Sequence, residues 1–345
     1  LMTVLLNIEP DPSVHGVPSW SPRPAPGAAR LLGDEMLRRV TQPLDLVRAG
    51  RSLVGNPAGA CEKASDALLG LQQALGAGFT GASPTPLNRP IGGHRRFDWL
   101  TLDLQEVKTV KRQLGGTVND VVLATVAGAV ARFLEFRGIS SKQQRELDFR
   151  VFCPVSVRDP SEQGTLGNRI SGMIASLPIG DADATTRLSR VRETTEQLKS
   201  SRQALGAEVL AAVSEWTLPT LLSLAARLST RSRAYNLVVT NVPGPQLPLH
   251  LLGSRMIAPF PLVPLFNNQA LGIALFSYDG RLCWGFNADW DLVPDLHDFV
   301  NAISESFEEL RRAANLAARR ATQERRFADA LEAAIPSGNG GRVAD

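Results

Sequence analysis

The chain has 345 residues, 43% of them hydrophobic and 21% charged, with a formal net charge of +3. That length is enough for one large or two ordinary domains, each with a real core. The balanced charge, with no basic stripe interleaved with aromatics, argues against a nucleic-acid partner, while a weakly basic surface suits CoA phosphates or anionic lipid.

Residues 1–8 are mostly apolar and stop at Pro10. The chain opens "LMTVLLNIEPDP", in the middle of an element, and this reads as the remainder of something longer. Residues 9–30 are rich in proline and lack periodicity, which predicts an extended loop. Helical spacing returns over 31–54 through Leu31, Leu32, Met36, Leu37, Val40, Leu44 and Val47, with arginines on the other face. Pro43 breaks or kinks that run. Such a basic amphipathic helix either covers a domain surface or lies on a membrane. A second helix is predicted over 62–79.

The Pro/Gly segment 80–93 is the best internal boundary, and "RRFDWLTLDL" reads as a strand. Asp103-x-x-Glu106 has the spacing of a capping box and opens a helix to about Leu114, stopped by Gly115 and Gly116. Thr117-x-x-Asp120 is a second capping box, opening helix 118–135. Apolar side chains cover nearly all sides of that helix, so it belongs in the centre of the fold. Asp120 is explained as a cap beside a positive helix end. Asn119 has no capping task.

Strands are predicted over 147–158 and 170–180, helices over 184–203 and 205–229, and a strand over 235–245 ended by Pro-Gly-Pro. "QALGIALFSYDGRLCWGFNAD" is a hairpin turning at Asp279-Gly280, in a type I′ connection. Val293 to about Ala334 is helical and 336–345 frays. The alternation gives an α/β class with a mixed sheet.

Motifs for common chemistries are missing: the chain contains no GxSxG, GxxxxGK[ST], HExxH or GxGxxG. Cys61, Cys153 and Cys283 stand far apart, which argues against a disulfide framework or a zinc site. The four histidines, at 15, 94, 250 and 297, are not spaced as metal pairs. His94 and Asp98 fall on one face of a strand, a pattern that suits a polar strand start better than a catalytic pair.

Six segments occur in a familiar order: "TPLNRPIGGHRRFDW", "GGTVNDVVLATVAGAVARFL", "CPVSVR", "LGNRISGM", "NLVVTNVPGP" and "SYDGRLCWGFNAD". Together they resemble the bacterial wax ester synthase/acyl-CoA:diacylglycerol acyltransferase family, over residues 1 to about 320. The resemblance implies a chloramphenicol acetyltransferase-like fold: two α/β lobes with mixed sheets flanked by helices and the active site between them. It implies transfer of a fatty acyl group from acyl-CoA, a substrate and not a cofactor, to diacylglycerol or a long-chain alcohol. It implies no metal and no covalent enzyme intermediate, the base being the second histidine of HHxxxDG.

HHxxxDG does not occur in these 345 residues, so no catalytic residue is assigned. The expectation is a chain that lacks its N-terminal piece, supplied in the same protein or by a second chain. Residues 1–80 would be the remnant of the N-terminal lobe with a loop and helical linker, 81–335 the C-terminal lobe, and 336–345 a disordered tail. The family's ND motif falls on Asn119 and Asp120, expected at the active-site wall, with Asn168 and Asn241 as further lining residues. Arg95, Arg96 and Arg158 are candidates for the CoA phosphates. The expected location is cytoplasmic, at the inner-membrane surface or lipid inclusions. The rival reading is a non-catalytic lipid-surface or scaffolding protein of the same fold. A third, peptide condensation on carrier proteins, shares the fold but not the motifs.

Overall fold

The computed structural model describes residues 6–10, 25–37, 81–156, 170–200 and 234–334. The helices predicted over 62–79 and 205–229, most of the 31–54 run and the tail 336–345 lie outside these residues.

A six-stranded mixed sheet has the order β1-β8-β7-β4-β2-β3. Its strands are β1 (Arg95–Asp103), β2 (Arg150–Ser156), β3 (Ile170–Ser176), β4 (Leu237–Pro243), β7 (Leu271–Tyr278) and β8 (Arg281–Asp289). The short strands β5 (His250–Leu251) and β6 (Ser254–Arg255) form a separate hairpin. β4 runs parallel to β2 and β7, and the other neighbours are antiparallel. The C-terminal ends of β1, β2, β4 and β7 therefore share one end of the sheet. The β7–β8 turn is the expected one: Asp279 and Gly280 both take positive φ, 45° and 77°.

After β1 come helices α1 (Leu104–Leu114), α2 (Val118–Phe136), α3 (Ser141–Glu146), α4 (Ala184–Ser200) and α5 (Leu296–Ala334), and residues 28–37 form a further, exposed helix ahead of the sheet. The polar six-residue α3 was not expected from the sequence; Ser140 and Gln143 cap it reciprocally. Asp103 caps α1 by accepting from the amides of Gln105 and Glu106. The reciprocal half of that expected box does not form, because Glu106 pairs with Arg311 at 2.9 Å instead. The Thr117–Asp120 box of α2 is complete.

α2 is central, as its all-round apolar surface requires: Val121 to Val130 are all buried, along with Phe133 and Leu134. An aromatic run, Trp284–Phe286–Phe299–Phe133, joins β8 through α5 to α2, with centroids 5.4–6.0 Å apart. Arg187 of α4 is also buried there, bonding the Ala124 carbonyl and pairing with Glu309, which Arg132 of α2 also engages.

The sheet face away from the helices is covered across β7 and β8 by an extended strap, residues 256–266. A Cβ built on Gly285 would run into the Pro261 carbonyl, and one on Gly272 would meet Val263 at 2.7 Å. The buried Asn287 side chain donates to the Val263 carbonyl at 2.9 Å. This two-sided cover explains why β8 is buried along nearly its whole length while the edge strand β1 alternates. Phe97 and Trp99 of β1 stand exposed beside Phe260 of the strap.

Gly128 sits where α2 meets α4 and α5; a Cβ there would collide with Ser306 Oγ and lie 2.7 Å from Arg187 Nη2. Intrinsic helix propensity favours Gly128→Ala by roughly 1 kcal/mol. Overpacking against the engaged Arg187 outweighs it, so the variant is expected to lose about 1–3 kcal/mol, read from its urea-unfolding midpoint.

Candidate active-site wall at the start of the central helix

The first turn of α2 holds the ND pair. Thr117 Oγ1 accepts from the Asp120 amide at 3.2 Å. Asp120 Oδ2 accepts from the Thr117 amide at 2.7 Å and from its hydroxyl at 2.8 Å. The second oxygen, Oδ1, accepts from the hydroxyl of Thr195 on α4 at 2.8 Å. Asp120 is only 3% exposed and Thr195 1%. A buried carboxylate needs such partners, and the positive helix end adds to them.

Two glycines make room for this turn. Gly115 and Gly116 take φ of 83° and 90°. A Cβ on Gly116 would also lie 2.9 Å from Arg192 Cδ and 3.2 Å from Asp120 Oδ2. Arg192 in turn reaches the Leu114 carbonyl at the end of α1, at 3.5 Å. Asn119 is half-buried, and its side chain takes no hydrogen bond from any described residue. It is the one member of the turn with an amide to spare for a ligand.

Its position in the fold follows from α5. Arg137, after α2, pairs with Asp295 just before α5, whereas Arg132 pairs with Glu305 and Glu309 further along it. α2 thus runs antiparallel to α5, which itself starts beside Asp98 of β1 and reaches Glu106 of α1 by Arg311. The N-terminus of α2 therefore lies at the end of the sheet where β1, β2, β4 and β7 terminate. Ligands of open α/β sheets bind at that end.

Asn241 shares it. This residue is half-buried near the end of β4, opposite Leu275 of β7. The Pro-Gly-Pro that follows is more than a strand stop: Gly244 packs so closely on Phe276 and Ser277 that no Cβ fits, and its amide donates to Ser277 Oγ at 3.1 Å.

Arg95 and Arg96 lie at the opposite end of the sheet, paired in register with Asp289 and Ala288. Arg95 donates to the carbonyls of Gly92 and His94 and stands 3.6 Å from Asp289. The Arg96 guanidinium stacks 3.7 Å over Trp290 and donates to its carbonyl. Both are engaged within the fold and are not brought together with the ND turn. Asn168 and Arg158 lie outside the described residues. His94 does not pair with Asp98; Asp98 Oδ2 meets His297 Nδ1 at 2.9 Å, with His297 exposed. Among the described residues no cluster of His, Cys, Asp or Glu could hold a metal ion.

Sequence reasoning missed Thr195 and Arg187. The signal was present: both fall on the buried stripe of α4 with Leu188 and Val191, where an apolar residue is the expectation. Burial pushes the Cys153 thiol up to about 12, which makes it a packing residue and not a nucleophile.

The profile of the "Wax ester synthase/diacylglycerol acyltransferase catalytic domain" matches residues 1–122, and that of the "WS/DGAT C-terminal domain" matches residues 166–311. The Mycobacterium tuberculosis protein Rv1760, which bears the name of a diacylglycerol O-acyltransferase, is 36% identical over 234 residues, 66% of this chain and 46% of its own. The O-acyltransferase WSD of Acinetobacter baylyi is 27% identical over 64% of this chain and 47% of its own. The solved wax ester synthase/diacylglycerol acyltransferase of Marinobacter aquaeolei VT8 superposes with a TM-score of 0.57 at 23% identity. It aligns over 91% of this chain and 64% of its own. The fold is thus that of the CoA-dependent acyltransferases, an α/β architecture with a mixed sheet flanked by helices. Within that class, the chain belongs to the wax ester synthase/diacylglycerol acyltransferase family. It spans about half the length of the curated relatives that it matches.

Two measurements test the local account. Asp120→Ala removes a cap and one acceptor of the buried Thr195 hydroxyl, which keeps the Arg192 carbonyl at 3.1 Å. Its expected cost is about 1–3 kcal/mol, a cap plus one net hydrogen bond, and a double-mutant cycle with Thr195→Val should show a coupling of about 0.5–1.5 kcal/mol. At the other end of the sheet, burial raises the Asp289 carboxyl, but the amides of Leu292, Gly92 and Asp291, with Arg95, outweigh it. The net position is below the ordinary 3.8. A depressed folded-state pKa contributes stability above the unfolded value and loses it as pH falls through the folded one. Asp289→Asn should therefore flatten the acid limb of the stability curve below about pH 4.

Proposed function

We propose that this chain is the C-terminal part of a long-chain O-acyltransferase, moving a fatty acyl group from acyl-CoA to diacylglycerol or a fatty alcohol. The observation that carries the reading is the ND pair. In this reading Asn119 and Asp120 act as one motif, and the two residues divide the work. Asp120 spends both oxygens on the fold. Asn119 is left beside the free amides of a helix N-terminus, at the ligand-binding end of the sheet. There the Asn119 amide orients the acyl donor or the acceptor hydroxyl, and Asn241 extends the same wall.

The base that deprotonates the acceptor hydroxyl comes from polypeptide outside these residues, since the chain carries no HHxxxDG. The hydroxyl oxygen then attacks the thioester carbonyl, the C–S bond breaks, and CoA leaves as the thiol. No single helix among the described residues is long and apolar enough to cross a membrane. The α1–α2 pair that passes jointly is bent by 96°, and its apolar part is buried in the protein. We place the protein on the cytoplasmic side, against the inner membrane or lipid inclusions.

The test follows a labelled long-chain acyl-CoA into triacylglycerol or wax ester. The chain alone should form no product, and adding the HHxxxDG-bearing segment of a relative should restore turnover, since such a base contributes ~10²–10⁴-fold. In the restored system Asn119→Ala should lower turnover at least about tenfold without moving the thermal midpoint, which is a loss of one oriented hydrogen bond. Product from the unsupplemented chain would refute the missing base. Unchanged turnover in the variant would refute the role of the amide.

A further inference from the structure

We propose that the tip of the β5–β6 hairpin, Leu251 and Leu252, is an apolar anchor that inserts into a lipid surface. The proposal rests on the lipid-surface placement proposed above, is independent of the acyl-transfer chemistry, and is argued from three observations.

The first is a conformational oddity. Leu252 and Gly253 form a two-residue turn with φ of 49° and 82°. Positive φ at both positions is the signature of a type I′ turn, which favours Asn, Asp or Gly first. The same chain builds its other such turn with Asp279-Gly280. A leucine in the left-handed region is strained, and strain of this kind is kept where something else requires the side chain.

The second is exposure. Leu252 is 91% exposed and Leu251 49%. Ile257, just past β6, is 73% exposed. The Leu252 side chain buries almost nothing in the fold, Leu251 about half of its surface, and the hairpin that carries them is firmly rooted. The buried Tyr278 hydroxyl accepts from the Leu249 amide at 2.7 Å and donates to the Met256 carbonyl at 3.1 Å, clamping both sides of its base. Asn7 pairs with His250 along the outer edge through two backbone bonds of 2.7 and 2.8 Å.

The third is charge. Residues 234–278 carry one charged side chain, Arg255, in a chain that is 21% charged overall. Arg255 sits three residues from the tip, tied to Asp279 and largely exposed. A convex leucine tip with Arg255 behind it, and the exposed Glu9 on the flanking segment that pairs with His250, fits a fluid acyl layer under a charged headgroup layer. The tie to Asp279 places the hairpin at the end of the sheet that holds the ND turn, so the anchor would bring that end to the lipid.

The experiment is flotation of the purified chain with phosphatidylcholine vesicles, with and without phosphatidylglycerol, at low and high salt. The chain should bind both vesicle types, with affinity surviving high salt. Leu252→Asn relieves the strained φ and removes the apolar group, so its thermal midpoint should hold or rise while its vesicle affinity falls about tenfold. Leu252→Phe, strained but apolar, should keep binding. A parent chain that ignores vesicles, or a Leu252→Asn variant that binds as well as the parent, would overturn the proposal. So would binding that high salt abolishes in both alike, for that would move the contact to the arginine-bearing segment.

Discussion

The structure depends on keeping one helix dry. α2 presents apolar side chains in every direction, so it is stable only where α1, α4, α5 and the sheet enclose it. Enclosure buries Asp120 at its first turn, and a carboxylate is costly to bury without partners. The Thr117–Asp120 box supplies two of them, the Thr117 amide and hydroxyl, and satisfies the Asp120 amide in return. The hydroxyl of Thr195 then engages the remaining oxygen and fastens α4 to the same turn. Through that single carboxylate the end of the helix becomes a fixed platform. Its neighbour Asn119 inherits a rigid backbone without contributing to it.

Much of this could be read from the sequence, and where reading failed the reason is distance along the chain. Local chemistry was legible: the Thr117 cap, the stop at Gly115 and the Asp279-Gly280 turn each depend on neighbours within a few residues. Glu106 shows the limit. Its spacing from Asp103 is that of a reciprocal box, yet Arg311, 205 positions away, takes the carboxylate. Asp98 likewise meets His297 and not His94. α3 escaped notice because its six residues are wholly polar and carry no periodic signal. The candidate site was half legible. The ND pair stood out through family resemblance, while Thr195 looked like an ordinary helical threonine until α4 was seen against α2.

The geometry also separates the residues that resemblance had grouped. The amide candidates Asn119 and Asn241 gather at one end of the sheet, whereas Arg95 and Arg96 serve the other. There the two arginines brace the loop before β1 and the turn after β8. Among the described residues the partners of these two cations are carbonyls, an indole face and the Asp289 carboxylate.

The strap over β7 and β8 carries an implication for how this family can vary. Its backbone rides directly on two hydrogen-only positions, Gly272 and Gly285, and is pinned by one carboxamide. Three prolines, at 259, 261 and 264, forbid it from joining the sheet as a strand. The strap and the two strands beneath it must therefore drift together over evolutionary time, as a lid and its seat do. Side chains pointing away from the sheet, such as Leu262 and Phe266, are released from that bond. They form the part of this face that natural variation can rewrite without disturbing the sheet below.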